Sequence, residues 1–214
     1  MKDRNETHLR SSDTGARCLP RFRETWPDSD PTSKQFLPAA NSIAEYNAYE
    51  TAARERDAAK QILLLDEFVS NHPQSALLIY VYPLYYAAYG QLKNFPKVVI
   101  YADKLAALGD SVDAAARYGA LWASAHAYNK MNSSDPELAA KARSSALAGI
   151  ALLSELKKPD LLDEKAFAFE KKRMAIYFHA TAGIAAIAMK DYSAAAESFR
   201  AVMTLNAGPL LTDP

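Results

Sequence analysis

From Ser42 to Asn206 apolar residues recur at three- and four-residue intervals, and Pro, Gly and Asn-rich breaks cut the pattern into short helical lengths. In "SIAEYNAYETAA" Ile43, Tyr46, Tyr49 and Ala53 share one face of a helix. After "RERD", "AAKQILLLDEFVSNHP" puts Ile62, Leu65, Phe68 and Val69 on one face, with Pro73 as a stop. A second pair begins near Ser75. Its first helix ends around "GQLKN"; its second is "FPKVVIYADKLAAL", with Val98, Tyr101 or Ala102, Leu105 and Leu108 on one face and Gly109 placed to end it. "VDAAARYGALWASAHAYNKM" and "PELAAKARSSALAGIALLSELKK" form a third pair. There Asp135 is an N-cap, Pro136 suits the first helical position and Glu137 complements the dipole. The fourth pair is a long helix from Leu162 to about Met189, then "YSAAAESFRAVMTLN". Only seven residues are Gly and alanine is abundant, which favours helix throughout.

One helix pair cannot bury its apolar face alone, whereas pairs stacked in register bury a continuous core. The expected fold is therefore all-α, about four antiparallel helix pairs over residues 41–208, with a tail at 209–214. Residues 1–40 hold four of the eleven prolines, mixed charges and no apolar period, and are expected to be a disordered arm, with Phe22 and Trp26 as its large apolar side chains.

Several functions are disfavoured. Lys+Arg and Asp+Glu balance at 25 each, unlike a general polyanion binder. The one cysteine, Cys18, cannot form an internal disulfide, and as a nucleophile it would need a base nearby. His8, His72, His126 and His179 lie far apart and show no metal-ligand spacing. Asp160, Asp163 and Glu164 suit a helix N-terminus rather than acid–base chemistry, and Glu170 with Lys171, Lys172 and Arg173 reads as a solvated face. No phosphate-cradling glycine loop and no esterase elbow occurs. The chain is expected to need no cofactor and no metal and to be soluble, since its longest weakly polar runs fall short of a bilayer span. No signal peptide is visible, which makes the cytoplasm the default location.

The stretch "IYVYPLYYAAYG" carries five tyrosines around Pro83. Pro83 fits a helix that starts near Tyr80–Tyr82; a start at Ser75 predicts a kink.

Residues 176–208, "IYFHATAGIAAIAMKDYSAAAESFRAVMTLNAG", place Gly183 at a small position of a first helix, Asp191-Tyr192 at a turn, and Ala195, Phe199 and Val202 at A-x3-F-x2-A spacing. In this the chain resembles the tetratricopeptide (TPR) family, in divergent form. His179 replaces the aromatic anchor, Ala186 the late Tyr and Ala207 the terminal Pro. Matching Phe95 to Tyr192 sets Tyr82, Tyr85, Tyr86 and Tyr89 on the signature positions of an earlier first helix. With Gly183, Tyr192, Ala195 and Phe199 they are the expected repeat-packing residues. Tyr86 stands where the family has a small residue, which predicts a more widely splayed pair. The third pair fits poorly.

The resemblance implies a right-handed superhelical array whose first helices line a concave groove. There it places Tyr46, Glu50, Arg54, Tyr80, Gln91, Tyr177 and Ile184 as partner-facing candidates. It implies a non-catalytic scaffold or adaptor that binds a peptide or partner protein, not nucleic acid. No Lys/Asn carboxylate clamp is visible. The alternative is an enzyme or small-ligand carrier with a pocket in the helical groove. No polar cap follows Asn206, which predicts weak self-association through that end.

Overall fold

The computed structural model describes residues 40–207. The expected arm with His8, Cys18, Phe22 and Trp26, and the tail at 209–214, lie outside the described residues. The described chain is all-helical: α1 (Ile43–Arg54), α2 (Ala58–Asn71), α3 (Leu78–Gln91), α4 (Phe95–Ala106), α5 (Ala114–Met131), α6 (Pro136–Leu152), α7 (Glu164–Ala188) and α8 (Tyr192–Ala207), with a short 3₁₀ turn at Gly109–Ser111.

Side-chain caps set most of these boundaries. Ser42, Asp57, Asn94, Asp113, Asp135 and Asp163 accept from backbone amides at the starts of α1, α2, α4, α5, α6 and α7, and Asp191 does so for α8 at 3.0 Å. Each such cap stabilises by about 1 kcal/mol. Asp163 explains why α7 begins at Glu164 rather than at Leu162, because the cap residue itself stays extended. α4 ends at Ala106, ahead of Gly109, whose positive φ of 57° serves the following turn instead.

α3 has no side-chain cap; Ser75 Oγ accepts from the Leu77 amide 2.9 Å away, just before it. The helix begins at Leu78, between the two starts considered for it, so Pro83 lies beyond the first turn. The Ile79 carbonyl, four residues back, therefore has no helical donor.

Two helix reversals are built identically. Lys93 and Lys190 take left-handed φ values of 56° and 60°. Asn94 donates to the Tyr89 carbonyl and Lys93 to that of Gly90; Asp191 donates to the Ala186 carbonyl and Lys190 to that of Ile187. Both are Schellman caps in which lysine holds the position glycine usually takes. The next residue in each already caps the following helix, so α3–α4 and α7–α8 reverse direction within three residues.

Each helix packs against its successor, and α1–α3, α3–α5 and α5–α7 also approach one another. The core is correspondingly serial, each cluster drawing on three consecutive helices. Leu65, Phe68, Val81 and Tyr85 belong to α2 and α3, joined by Ala52 of α1. Ala102, Leu105 and Ala120 join α4 and α5 beneath Tyr82 and Tyr86 of α3. Tyr118, Leu121, Ala146, Phe178 and Ala182 join α5, α6 and α7. Small residues admit rings at the closest approaches. A Cβ at Gly149 would stand 2.5 Å from Cζ of Phe178, and one at Gly183 would stand 2.8 Å from Cζ of Phe199. At the position of α3 that matches Gly183 the sizes are exchanged: Tyr86 is large and packs over Ala102 of α4, while its hydroxyl lies 3.7 Å from the Cβ position of Gly119.

Candidate functional site

Three helices that follow one another in the packing leave a groove of about 210 Å³. Tyr86 and Gly90 of α3, Phe95 and Val98 of α4, and Trp122 and His126 of α5 form its walls. The sequence brings them together through two helical spacings. Tyr86 and Gly90 are four residues apart, as are Trp122 and His126, so each pair occupies one helix face. The short Lys93–Asn94 reversal then folds Phe95 and Val98 back beside Gly90.

Trp122 is the best-supported of these side chains. The Tyr177 ring of α7 lies 4.2 Å from it between centroids, the His126 ring is near-parallel at 6.4 Å, and Phe178 meets it edge-on at 6.0 Å. His126 Nδ1 and the Tyr177 hydroxyl are 3.3 Å apart. Next along the α5–α7 seam, Asn129 Nδ2 donates to Thr181 Oγ1 at 2.8 Å, and Thr181 donates to the Tyr177 carbonyl at 3.0 Å. Desolvation, and then the charge of Lys130, hold the His126 imidazole below its ordinary 6.5. Burial pushes the Tyr86 phenol up to about 12. Both groups are neutral at pH 7, so the groove wall is uncharged.

The residues expected to face a partner lie on α1, α3 and α7. Tyr177 braces Trp122, and Gln91 is exposed immediately after Gly90. Tyr46, Glu50, Arg54 and Tyr80 gather instead around α1. Glu50 and Arg54 pair at 2.6 Å, Tyr46 lies 6.5 Å from Tyr49, and Tyr80 packs on Tyr49 at 6.3 Å. Ile184 is exposed farther along α7.

Among the residues expected to pack, Tyr85, Gly183 and Ala195 are buried, while Tyr82, Tyr86, Tyr89 and Phe199 are half-buried. Tyr192 is 67% exposed, because as the first residue of α8 it projects past the turn that Asp191 caps. Tyr82, Tyr85 and Tyr89 of α3 gather on Tyr101: Tyr85 stacks on it at 3.9 Å, Tyr89 at 5.5 Å, Tyr82 lies 6.3 Å away, and Lys104 Nζ lies 4.8 Å over its ring. The Tyr85 hydroxyl donates to Asp66 at 2.7 Å, and burial, reinforced by that carboxylate, raises its pKa far above the ordinary 10. Burial pushes Tyr101 up to about 12. Those rings are committed to one another, which removes them as a platform for a ligand.

Sequence reasoning missed Trp122, His126, Phe95 and the groove-facing role of Tyr86. The available signal was the spacing of Tyr118, Trp122 and His126, an aromatic stripe at four-residue intervals in α5. Among the described residues no three His, Cys, Asp or Glu side chains gather as a metal-holding group, and no helix is long and apolar enough to cross a membrane. Comparison with family models, with curated proteins and with solved structures finds no match for this chain.

Proposed function

We propose that the chain is a non-catalytic interaction module, a TPR-like right-handed array of helix pairs that binds an extended segment of a partner protein. The odd-numbered helices approach one another in sequence and the core is serial, as stacked pairs require. The observation that carries the functional reading is the aromatic groove between α3, α4 and α5. At about 210 Å³ it falls below the roughly 300–1,000 Å³ of sites that enclose a small molecule. It matches the scale of a single anchoring side chain. Aromatic walls that are half-buried before binding are the usual seat of such an anchor. His126 is its one imidazole and no carboxylate lines it, which favours recognition over acid–base catalysis.

A direct test uses the fluorescence of Trp122. The chain has two tryptophans, so Trp26→Phe leaves a single reporter in the groove. Peptides selected from a random displayed library against this variant should shift or quench its emission, and Trp122→Leu should lose them. Selected peptides that leave Trp122 emission unchanged and bind the Trp122→Leu variant equally would remove the groove from consideration.

A further inference from the structure

We infer that the segment taken by this groove is acidic, with one aromatic or large aliphatic anchor between its acids. This rests on the reading of the groove as a peptide site and adds the chemistry of the peptide.

α3 and α5, which form the two long sides, contain no Asp or Glu at all. The one acid of α4, Asp103, is not among the lining residues; it lies 3.5 Å from Ser124 Oγ, with Lys141 of α6 contributing to its field. Three lysines stand next to lining residues in the chain or one helical turn from them, at the end where α3 turns into α4 and α5 ends. Lys93 stands in the reversal between Gly90 and Phe95, Lys97 precedes Val98, and Lys130 follows His126 by one helical turn. All three are exposed and none forms an ion pair among the described residues. Lys130 already acts on the groove, since its charge is felt by His126.

An apolar anchor held between neutral aromatic walls leaves its neighbours in the peptide at the lysine-bordered rim. Carboxylates there meet three unpaired cations, whereas lysines or arginines would meet like charge. Rim charges of this kind set preference and association rate more than they set total affinity. The observations favour a peptide over a single-stranded nucleic acid, which needs a basic groove tracking several phosphates. The chain as a whole carries no net charge.

The test is fluorescence anisotropy on the full chain with three labelled peptides that share a central tryptophan and carry Glu, Ser or Lys flanks. The Glu-flanked peptide should bind about tenfold tighter than the Lys-flanked one at low salt, and the gap should narrow as salt is raised. Lys93→Glu/Lys97→Glu/Lys130→Glu should reverse the order, with its melting curve serving as the check on folding. Equal binding of all three peptides, lost in Trp122→Leu, would overturn the acidic preference and leave the groove reading intact. Absence of any Trp122-dependent peptide binding would overturn both. Tighter, Trp122-dependent binding of a labelled oligonucleotide would overturn the acidic peptide in favour of nucleic acid.

Discussion

Phe178 seats its ring on Gly149, so close that a Cβ there would stand 2.5–2.7 Å from three ring carbons. Phe178 is fully buried, and Tyr118 and Trp122 meet its ring edge-on, so it has nowhere to move. Gly149→Ala should therefore cost about 1–3 kcal/mol through overpacking, outweighing the roughly 1 kcal/mol that Ala gains over Gly in a helix. Gly183→Ala should cost less, because Phe199 is only half-buried and can swing outward. Gly119→Ala meets nothing closer than 3.7 Å and should stabilise by up to about 1 kcal/mol. Urea titrations of the three variants check the order. Equal effects would mean that the rings, rather than the backbones, set these approaches.

Tyr85 links the α3 stack to Asp66 of α2. Tyr85→Phe keeps the ring on Tyr101 and loses only the hydroxyl bond, a cost of about 1 kcal/mol, since Asp66 remains hydrated. Tyr85→Ala removes the ring itself and should cost roughly 3–5 kcal/mol. Similar losses in the two variants, measured by chemical denaturation, would assign the stability to the hydrogen bond instead of to the stacked rings.

Acid should weaken the groove before it unfolds the chain. The folded-state pKa of His126 lies below its ordinary 6.5, and that of His179 is lowered in the same direction by burial. For a depressed value the contribution to stability is complete above pH 6.5 and falls away as the pH drops through 6.5 toward the folded value. Proton NMR should show both imidazoles titrating below 6.5. His126→Gln should flatten the loss of stability between neutral and mildly acidic pH. A slope identical to that of the unmodified chain would mean that His126 is as well solvated as in the unfolded state.

The last pair leaves apolar side chains uncovered: Ile184 and Ile187 of α7 are 44% and 49% exposed, and Met203 of α8 is 63% exposed. We propose weak self-association through this end. Light scattering over a dilution series should show mass rising with concentration, and Ile187→Glu/Met203→Glu should abolish the rise. A strict monomer at the highest concentration would exclude it.

Helix number and pairing were legible because Pro, Gly and Asx residues punctuate the chain where helices end, and because capping chemistry is local. The match of Phe95 with Tyr192 was legible for the same reason; both follow an αL lysine and a capping Asn or Asp. The groove was not. It brings Tyr86, Phe95 and Trp122 together from three helices, a placement set by packing rather than by any spacing along the chain. The partner-facing candidates were assigned by the first-helix face that the resemblance implies, and face does not reveal that Tyr80 packs on Tyr49 or that Trp122 lines the groove.

Pro83 removes one rung from α3, the bond to the Ile79 carbonyl, while the bonds of the following residues still tie the run before it to the run after it. The run before it carries Tyr80 toward α1; the run after it carries Tyr86 and Gly90 into the groove. α3 is anchored on both sides of the missing rung, by buried Leu77 and Val81 before it and by Tyr85 after it, while Tyr82, Tyr85 and Tyr89 share the Tyr101 ring.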